Sequence, residues 1–266
     1  MPTRDEMDDL YANAAHIEGA ADYPPRWQAE AEAFRLSLGP RCAAAIPYGT
    51  GEREAFDLFR PEGPVRGVVV FVHGGYWLRF DRSYWSWLAA GPLARGWAVA
   101  MPGYDLCPTV RIGDITRQIA AAVTRIAAEV DGPIRLTGHS AGGHLVLRMA
   151  DPELLDDSVG QRIERIVAIS PVADLRPLMD TSMNDDLRLD AAEAEVESPV
   201  LMGTRRDIPV GVEVGALERP PFLADARALA TAWTADLSIA EGRHHFDVIA
   251  PLAEPDSALT RSLLDG

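Results

Sequence analysis

The sequence predicts an α/β fold: a mostly parallel central sheet of about eight strands, helices on both faces, and a helical extension at the N-terminus. Three observations predict it. Short apolar runs recur along the chain, and the run at residues 65–72 is nearly continuous, as in a strand buried on both faces. Helical patterns lie between several of these runs; in residues 112–130, Ile115, Ile119, Val123 and Ile126 share one stripe. Strands that alternate with helices build right-handed βαβ units and therefore a parallel sheet.

Taken in order, residues 5–17 and 25–38 read as helices, separated by Ala20-Ala21-Asp22-Tyr23-Pro24-Pro25. Strand-like runs at 43–48 and 55–59 flank Gly49-Thr50-Gly51, the spacing of an antiparallel hairpin. Pro61-Glu62-Gly63-Pro64 then turns the chain into the buried run. Further strands are expected at 97–101, 134–137, 163–169, 210–214 and 237–240. Helices are expected at 112–130, 141–150, 221–233 and 246–264, the last broken near Pro255. Residues 177–198 are acidic and weakly periodic, which suggests a small insertion or cap over a site, within 173–207. No repeat or boundary divides the chain, so residues 1–266 read as one domain, with 1–40 as its helical extension.

The chain has 266 residues, 47% hydrophobic and 24% charged, enough to bury a core without disulfides or metals. Its net charge of −15 repels phosphate, so nucleic acid is not expected as a partner. Two cysteines, Cys42 and Cys107, are too few for a disulfide framework and read as free thiols. The polar, acidic first ten residues lack the basic and apolar regions of a signal peptide, and no run is long enough to span a bilayer. The expected compartment is the cytoplasm, with no membrane partner; a homodimer is compatible with the sequence.

Gly138-His139-Ser140-Ala141-Gly142 fits G-x-S-x-G, with a strand-like run before it and a helical pattern after it. A tight strand-to-helix turn needs glycines where side chains would clash, and it sets Ser140 beside the free N–H groups of a helix N-terminus. Ser140 is therefore the candidate nucleophile. His73-Gly74-Gly75-Tyr76-Trp77 follows the buried strand, where glycines let backbone N–H groups approach a ligand. The expected oxyanion donors are the N–H groups of Gly75, Tyr76 and Ala141, with His73 in a structural role.

A serine hydroxyl needs a base within hydrogen-bond reach. In this arrangement the chain order is serine, acid, histidine, so only His244 and His245 lie late enough. His245 stands just before the final helical pattern and is the candidate base. Glu218, in the loop after the 210–214 strand, is the candidate acid; Asp207 precedes that strand and Glu213 lies within it. Tyr76 and Trp77 are the expected substrate contacts; Trp85, Trp87 and Phe246 also lie near the motifs. A metal site is not expected: His139 and His144 are five residues apart rather than four, and no carboxylate follows His139. No G-x-G-x-x-G opens the first strand–helix pair, and no cofactor is expected.

Together these pieces resemble the α/β-hydrolase fold, and more narrowly its esterase and kynurenine formamidase (arylformamidase) branch. His73-Gly74-Gly75-Tyr76-Trp77 is similar to that branch's oxyanion motif, and Tyr104-Asp105-Leu106-Cys107-Pro108 to its Tyr-x-Leu-x-Pro segment. The stretch from Val214 to Phe222 resembles its acid loop, His245-Phe246-Asp247 its histidine loop, and Tyr11-Ala12-Asn13 a segment before its core. Relatives commonly carry Asp where this chain has Glu218. The resemblance implies a Ser140–His245–Glu218 triad that cleaves an ester or amide of a small molecule, an aromatic one included, through an acyl-enzyme. Formamide and ester substrates both remain open on these motifs. The competing reading is a hydrolase-fold protein that binds a ligand without catalysis; such proteins lose a triad member, and all three are present here.

Overall fold

The computed structural model describes residues 2–266. Eight strands form one sheet: β1 (Cys42–Pro47), β2 (Ala55–Phe59), β3 (Val68–Val72), β4 (Ala98–Pro102), β5 (Ile134–His139), β6 (Ile163–Ile169), β7 (Val210–Gly215) and β8 (Asp236–Ala240). Their order across the sheet is β1-β2-β4-β3-β5-β6-β7-β8. β1 and β2 pair antiparallel, as do β2 and β4, and every later pair is parallel. The C-terminal ends of β3, β5, β6, β7 and β8 therefore lie along one edge of the sheet.

The helices are α1 (Arg4–Tyr11), α2 (Tyr23–Leu38), α3 (Ala90–Ala94), α4 (Ile112–Glu129) and α5 (Ala141–Arg148), followed by α6 (Asp157–Gly160), α7 (Asn184–Leu187), α8 (Ala191–Val196), α9 (Pro220–Trp233) and α10 (Ala258–Leu264). They cover both faces of the sheet. The strands supply the reason: in β3, Val68, Val70 and Val72 enter one apolar cluster, while Val69 and Phe71 enter another on the opposite face. The first cluster takes most of its helical side chains from α4, α5 and α9, with others from α1, α7 and α8, and the second takes its own from α2, α3 and α10. Ile112, Ile115, Ile119, Val123 and Ile126 of α4 are all fully buried. Each such side chain contributes about 1.5–3 kcal/mol, so burial rather than intrinsic propensity holds α4 in place.

Three helical expectations change. The helix expected over 5–17 stops at Tyr11, and residues Asn13–His16 form a 3-10 turn instead. Its interruption frees the Tyr11 carbonyl, which accepts from the Tyr76 hydroxyl at 2.7 Å. The helix expected over 246–264 is a 3-10 turn at Ala250–Ala253 and then α10, which starts only after the Ser257 side chain caps it by accepting from Thr260 N–H at 3.0 Å. The stretch between β3 and β4, for which no helix is expected, winds through 3-10 turns into α3. Residues 173–207 leave the sheet between β6 and β7 and carry α7 and α8. Cys42 and Cys107 are both free, and among the described residues no helix is long and apolar enough to cross a membrane.

Candidate active site

β5 ends at His139 and α5 begins at Ala141, leaving Ser140 alone to reverse the chain. Its backbone is left-handed, at φ +56° and ψ −117°, a conformation costly for a residue with a Cβ. The turn is too tight for side chains at its flanks. A Cβ on Gly142 would stand 2.0 Å from the Val72 carbonyl oxygen, and one on Gly138 2.3 Å from the Gly142 carbonyl oxygen. The N–H of Ser140 donates to the Ile169 carbonyl at 2.9 Å, which ties the turn to β6. Ser140 itself is 2% exposed, and among the described residues no hydrogen bond reaches its hydroxyl.

The strand-end loop after β3 packs directly on this turn. A Cβ on Gly74 would meet the His139 carbonyl oxygen at 2.6 Å and Ser140 Cβ at 2.9 Å. Gly75, Tyr76 and Trp77 are three successive left-handed residues, at φ +115°, +55° and +58°. Among the described residues the N–H groups of Gly75, Tyr76 and Ala141 donate to no acceptor. His73 lies beneath the loop: its Nδ1–H donates to the Gly74 carbonyl at 2.8 Å, and its ring stacks on Tyr104 at 4.3 Å. Burial pushes its pKa down to about 4, so it stays neutral at ordinary pH.

Glu218 follows β7 and His245 follows β8, and the structure brings the two together. His245 Nδ1–H donates to Glu218 Oε2 at 2.7 Å. The other carboxylate oxygen accepts from Gly215 N–H at 3.0 Å and from the Ser170 hydroxyl. Burial alone would push the Glu218 pKa up; the His245 charge and these donors outweigh it and leave the carboxyl below its ordinary range. Ser170 carries no sequence signal for this role, since it follows β6 and only the sheet order brings it near Glu218; Gly215 is a local partner at the end of β7, three residues before Glu218. Asp207 is exposed and precedes β7, while Glu213 lies within β7 beside Ser238. The His245 ring lies 4.6 Å from that of His139 and 4.5 Å from that of Phe222. Burial first, then the neighbouring His245, pushes His139 well below the usual histidine range. His244 instead bonds locally, with Nε2 3.0 Å from the Tyr23 hydroxyl and Nδ1 accepting from Phe246 N–H at 3.1 Å.

Over these residues opens a cavity of about 450 Å³. Gly74, Gly75, Tyr76, His139 and His245 form its floor. Trp27, Phe80, Trp85 and Phe246 form aromatic walls. Its roof comes from the N-terminal segment, Tyr11 to Ala15, and from Ser182 and Met183 of the 173–207 insertion. Hydrogen bonds hold the roof: Ser182 N–H donates to Asp8 Oδ1 at 2.6 Å, and Arg219 Nη2 donates to Asp9 Oδ2 at 2.7 Å. The far end of the insertion is fixed below α5. There the buried Glu197 carboxylate accepts from Thr116 Oγ1 at 2.7 Å and Arg148 Nε at 3.1 Å, while His144 Nε2 meets the Glu197 carbonyl at 2.7 Å.

Of the two expected substrate contacts, Tyr76 lines the cavity and Trp77 does not. Trp77 is fully buried in the core, its ring edge-on to His144 at 5.1 Å. The left-handed turn sends these two adjacent side chains to different surroundings. Trp85 and Phe246 line the cavity and Trp87 does not. The roof residues Tyr11, Asn13 and Met183 had no site role assigned from the sequence, although Tyr11 and Asn13 lie in a segment similar to one of the resembled branch and Met183 in the stretch read as a small insertion or cap. Among the described residues no group of three or more His, Cys, Asp or Glu side chains is arranged to hold a metal ion.

Comparison with known proteins agrees with this architecture. The model of the alpha/beta hydrolase family matches residues 69–263. The chain is 26% identical over 234 residues to the kynurenine formamidase of Salmo salar, covering 82% of this chain and 80% of that protein. It is 29% identical over 239 residues to the kynurenine formamidase of Drosophila melanogaster, covering 82% and 79%. A solved structure from a Silicibacter species, provisionally named a thioesterase, superposes with a TM-score of 0.96 at 59% identity, covering 98% of this chain and 99% of that one. The chain belongs to the alpha/beta hydrolase family.

Proposed function

We propose that the chain is a serine hydrolase that cleaves an ester or amide bond of a small molecule through an acyl-enzyme on Ser140, with His245 as base and Glu218 as acid. The observation that carries this reading is the 2.7 Å bond from His245 Nδ1 to Glu218 at the strand edge that also carries Ser140. With Nδ1–H donated to Glu218, the other ring nitrogen is the one free to take the Ser140 proton. Ser140 Oγ then attacks the carbonyl carbon, and the oxygen that becomes negative is received by the N–H groups of Gly75, Tyr76 and Ala141. His245 returns the proton to the leaving group. A water deprotonated by His245 attacks the acyl-enzyme, which releases the acid and restores Ser140. Glu218 stays ionised throughout, fixing the tautomer and stabilising the imidazolium. The Ser140 hydroxyl has no partner in this state; catalytic hydrogen bonds commonly close only around bound substrate.

For the substrate we favour an arylformamidase-like activity, with formyl as acyl group and an aromatic amine as leaving group. The aromatic walls of the cavity and the two kynurenine formamidase relatives support it. A short-chain carboxylester or thioester is the second reading, favoured by the name of the 59% identical structure. Both use the same residues. A hydrolase-fold binding protein without catalysis is disfavoured, because the Glu218–His245 pair and the strained Ser140 are all retained. The cavity draws on the N-terminal segment, the sheet and the insertion together, which supports reading the chain as one domain.

The deciding experiment compares hydrolysis of N-formylkynurenine, a short p-nitrophenyl ester and a short acyl thioester, with wild type and with Ser140→Ala. A large preference for either of the last two sinks the formamidase reading. Full activity in Ser140→Ala sinks the catalytic assignment.

A further inference from the structure

Three buried side-chain atoms that lack a hydrogen-bond partner belong to residues lining the cavity: Asn13 Oδ1, His139 Nε2 and Trp85 Nε1. Unpartnered ring nitrogens also occur outside the cavity, at Trp87 and Trp97 among others, so the last two are unremarkable in this fold. Asn13 stands apart. It is 5% exposed, and among the described residues its side chain is the single amide with an unpartnered buried atom.

The orientation of that amide follows from its neighbour. The Tyr76 hydroxyl has one proton and donates it to the Tyr11 carbonyl at 2.7 Å. Its 3.0 Å contact with Asn13 is therefore a bond received from Nδ2. Rotating the amide by half a turn would set two acceptors against one proton. Nδ2 is thus committed to Tyr76, and Oδ1 is the unused arm. A buried acceptor left without a partner is a standing cost, and such groups call for an explanation.

Tyr76 is also the left-handed residue whose own N–H is a candidate oxyanion donor. Asn13 consequently touches the oxyanion loop with one arm, while the other is a buried, unpartnered acceptor on a residue that lines the cavity. We propose that Asn13 is a specificity-determining residue: Oδ1 accepts a hydrogen bond from an N–H of the bound substrate while Nδ2 positions Tyr76. This rests on reading the cavity as the site of acyl transfer. It favours amides over esters, because an amide of an arylamine carries a donor on its leaving group and the matching ester carries only acceptors.

The test uses the full chain and two substrates that differ at one atom, formanilide and phenyl formate, and reads the ratio of their kcat/KM values. Asn13→Ala should lower that ratio about tenfold, the worth of one hydrogen bond. Tyr76→Phe removes the clamp and leaves the Asn13 oxygen, so it should lower both rates by a common factor and keep the ratio within about twofold, since only the shared clamp is lost. The ester rate is the internal control for folding, because a misfolded variant loses both activities together. An Asn13→Ala ratio equal to that of wild type overturns the proposal. So does a Tyr76→Phe ratio that falls as far as that of Asn13→Ala. A wild-type enzyme inert toward both compounds overturns the acyl-transfer reading itself, and the proposal with it.

Discussion

On the floor of the cavity and in the Ser140 turn packed against it, Gly74, Gly138 and Gly142 leave no room for a side chain. On its roof, Tyr11, Asn13, Ser182 and Met183 are held by contacts between segments far apart in the chain. The floor is backbone geometry that parallel strands impose at one sheet edge. The roof is a set of separate side-chain and backbone bonds, each of which can be lost singly. The same contrast separates two carboxylates after β7. Glu218 is buried but faces His245 and two other donors, and its pKa is lowered. Asp225 of α9 is partly buried beside another acid, Asp174. Although it accepts from the N–H groups of Ala173 and Asp174, desolvation drives it up to about 7. Desolvation acts on both carboxylates, and whether a cation is within reach decides the direction of the shift.

If the floor does the chemistry, the largest effect comes from Ser140→Ala, which should reduce kcat by about 10⁴ or more with the fold intact, measured by steady-state kinetics beside circular dichroism. Glu218→Gln should reduce kcat by up to about 10⁴, because the amide oxygen stays on Gly215 N–H and the Ser170 hydroxyl while its NH2 donates to Nδ1 of His245 and holds the wrong tautomer. Gly142→Ala should act on stability instead. With 2.0 Å between the new Cβ and the Val72 oxygen, a loss of about 4 kcal/mol or more is expected in denaturant titration.

The roof should respond differently. Arg219→Ala removes the bond to Asp9 and should raise KM about two- to fivefold with little change in kcat, since an exposed charge pair is worth under about 1 kcal/mol. Should kcat fall instead, floor and roof are coupled more tightly than this comparison allows. The smallest effect is one of pH. An ordinary carboxyl in the unfolded chain but raised to about 7 when folded, Asp225 contributes stability that is present at acidic pH and lost as pH rises through 7. Asp225→Asn should flatten the fall of Tm between about pH 4 and pH 7, each kcal/mol recovered appearing as about 2–4 °C. Glu218 works in the other direction: its contribution is lost as pH falls below the ordinary carboxylate range.

This comparison also explains what could be read in the sequence. The parallel sheet, the turn around Ser140 and the candidates Glu218 and His245 were legible, because glycine spacing and chain order encode them locally. Trp77 misled because three successive left-handed residues redirect the chain, and no propensity scale marks such a turn at Tyr76 and Trp77. The helix expected over 5–17 misled because its second half serves Tyr76 rather than its own ladder. Ser170 was invisible as a partner of Glu218, since strand order, not sequence distance, makes them neighbours; Gly215 is a local partner three residues away, in the same loop. The aromatic walls were only partly legible, because a tryptophan next to a motif can face either the core or the cavity.

The bonds from Asp9 to Arg219 and from Asp8 to Ser182 bear on the order of assembly. During synthesis the roof's first residues leave the ribosome before any of the sheet, yet their partners lie 210 and 174 positions downstream. Local turns and strand pairing can form as the chain emerges, but these long-range contacts wait for nearly the whole polypeptide. The roof can therefore close only once Ser182 and Arg219 have emerged, and the floor is finished later still, when His245 follows β8. The two halves of the site draw on opposite ends of the chain, and neither is complete until the last strand has been made.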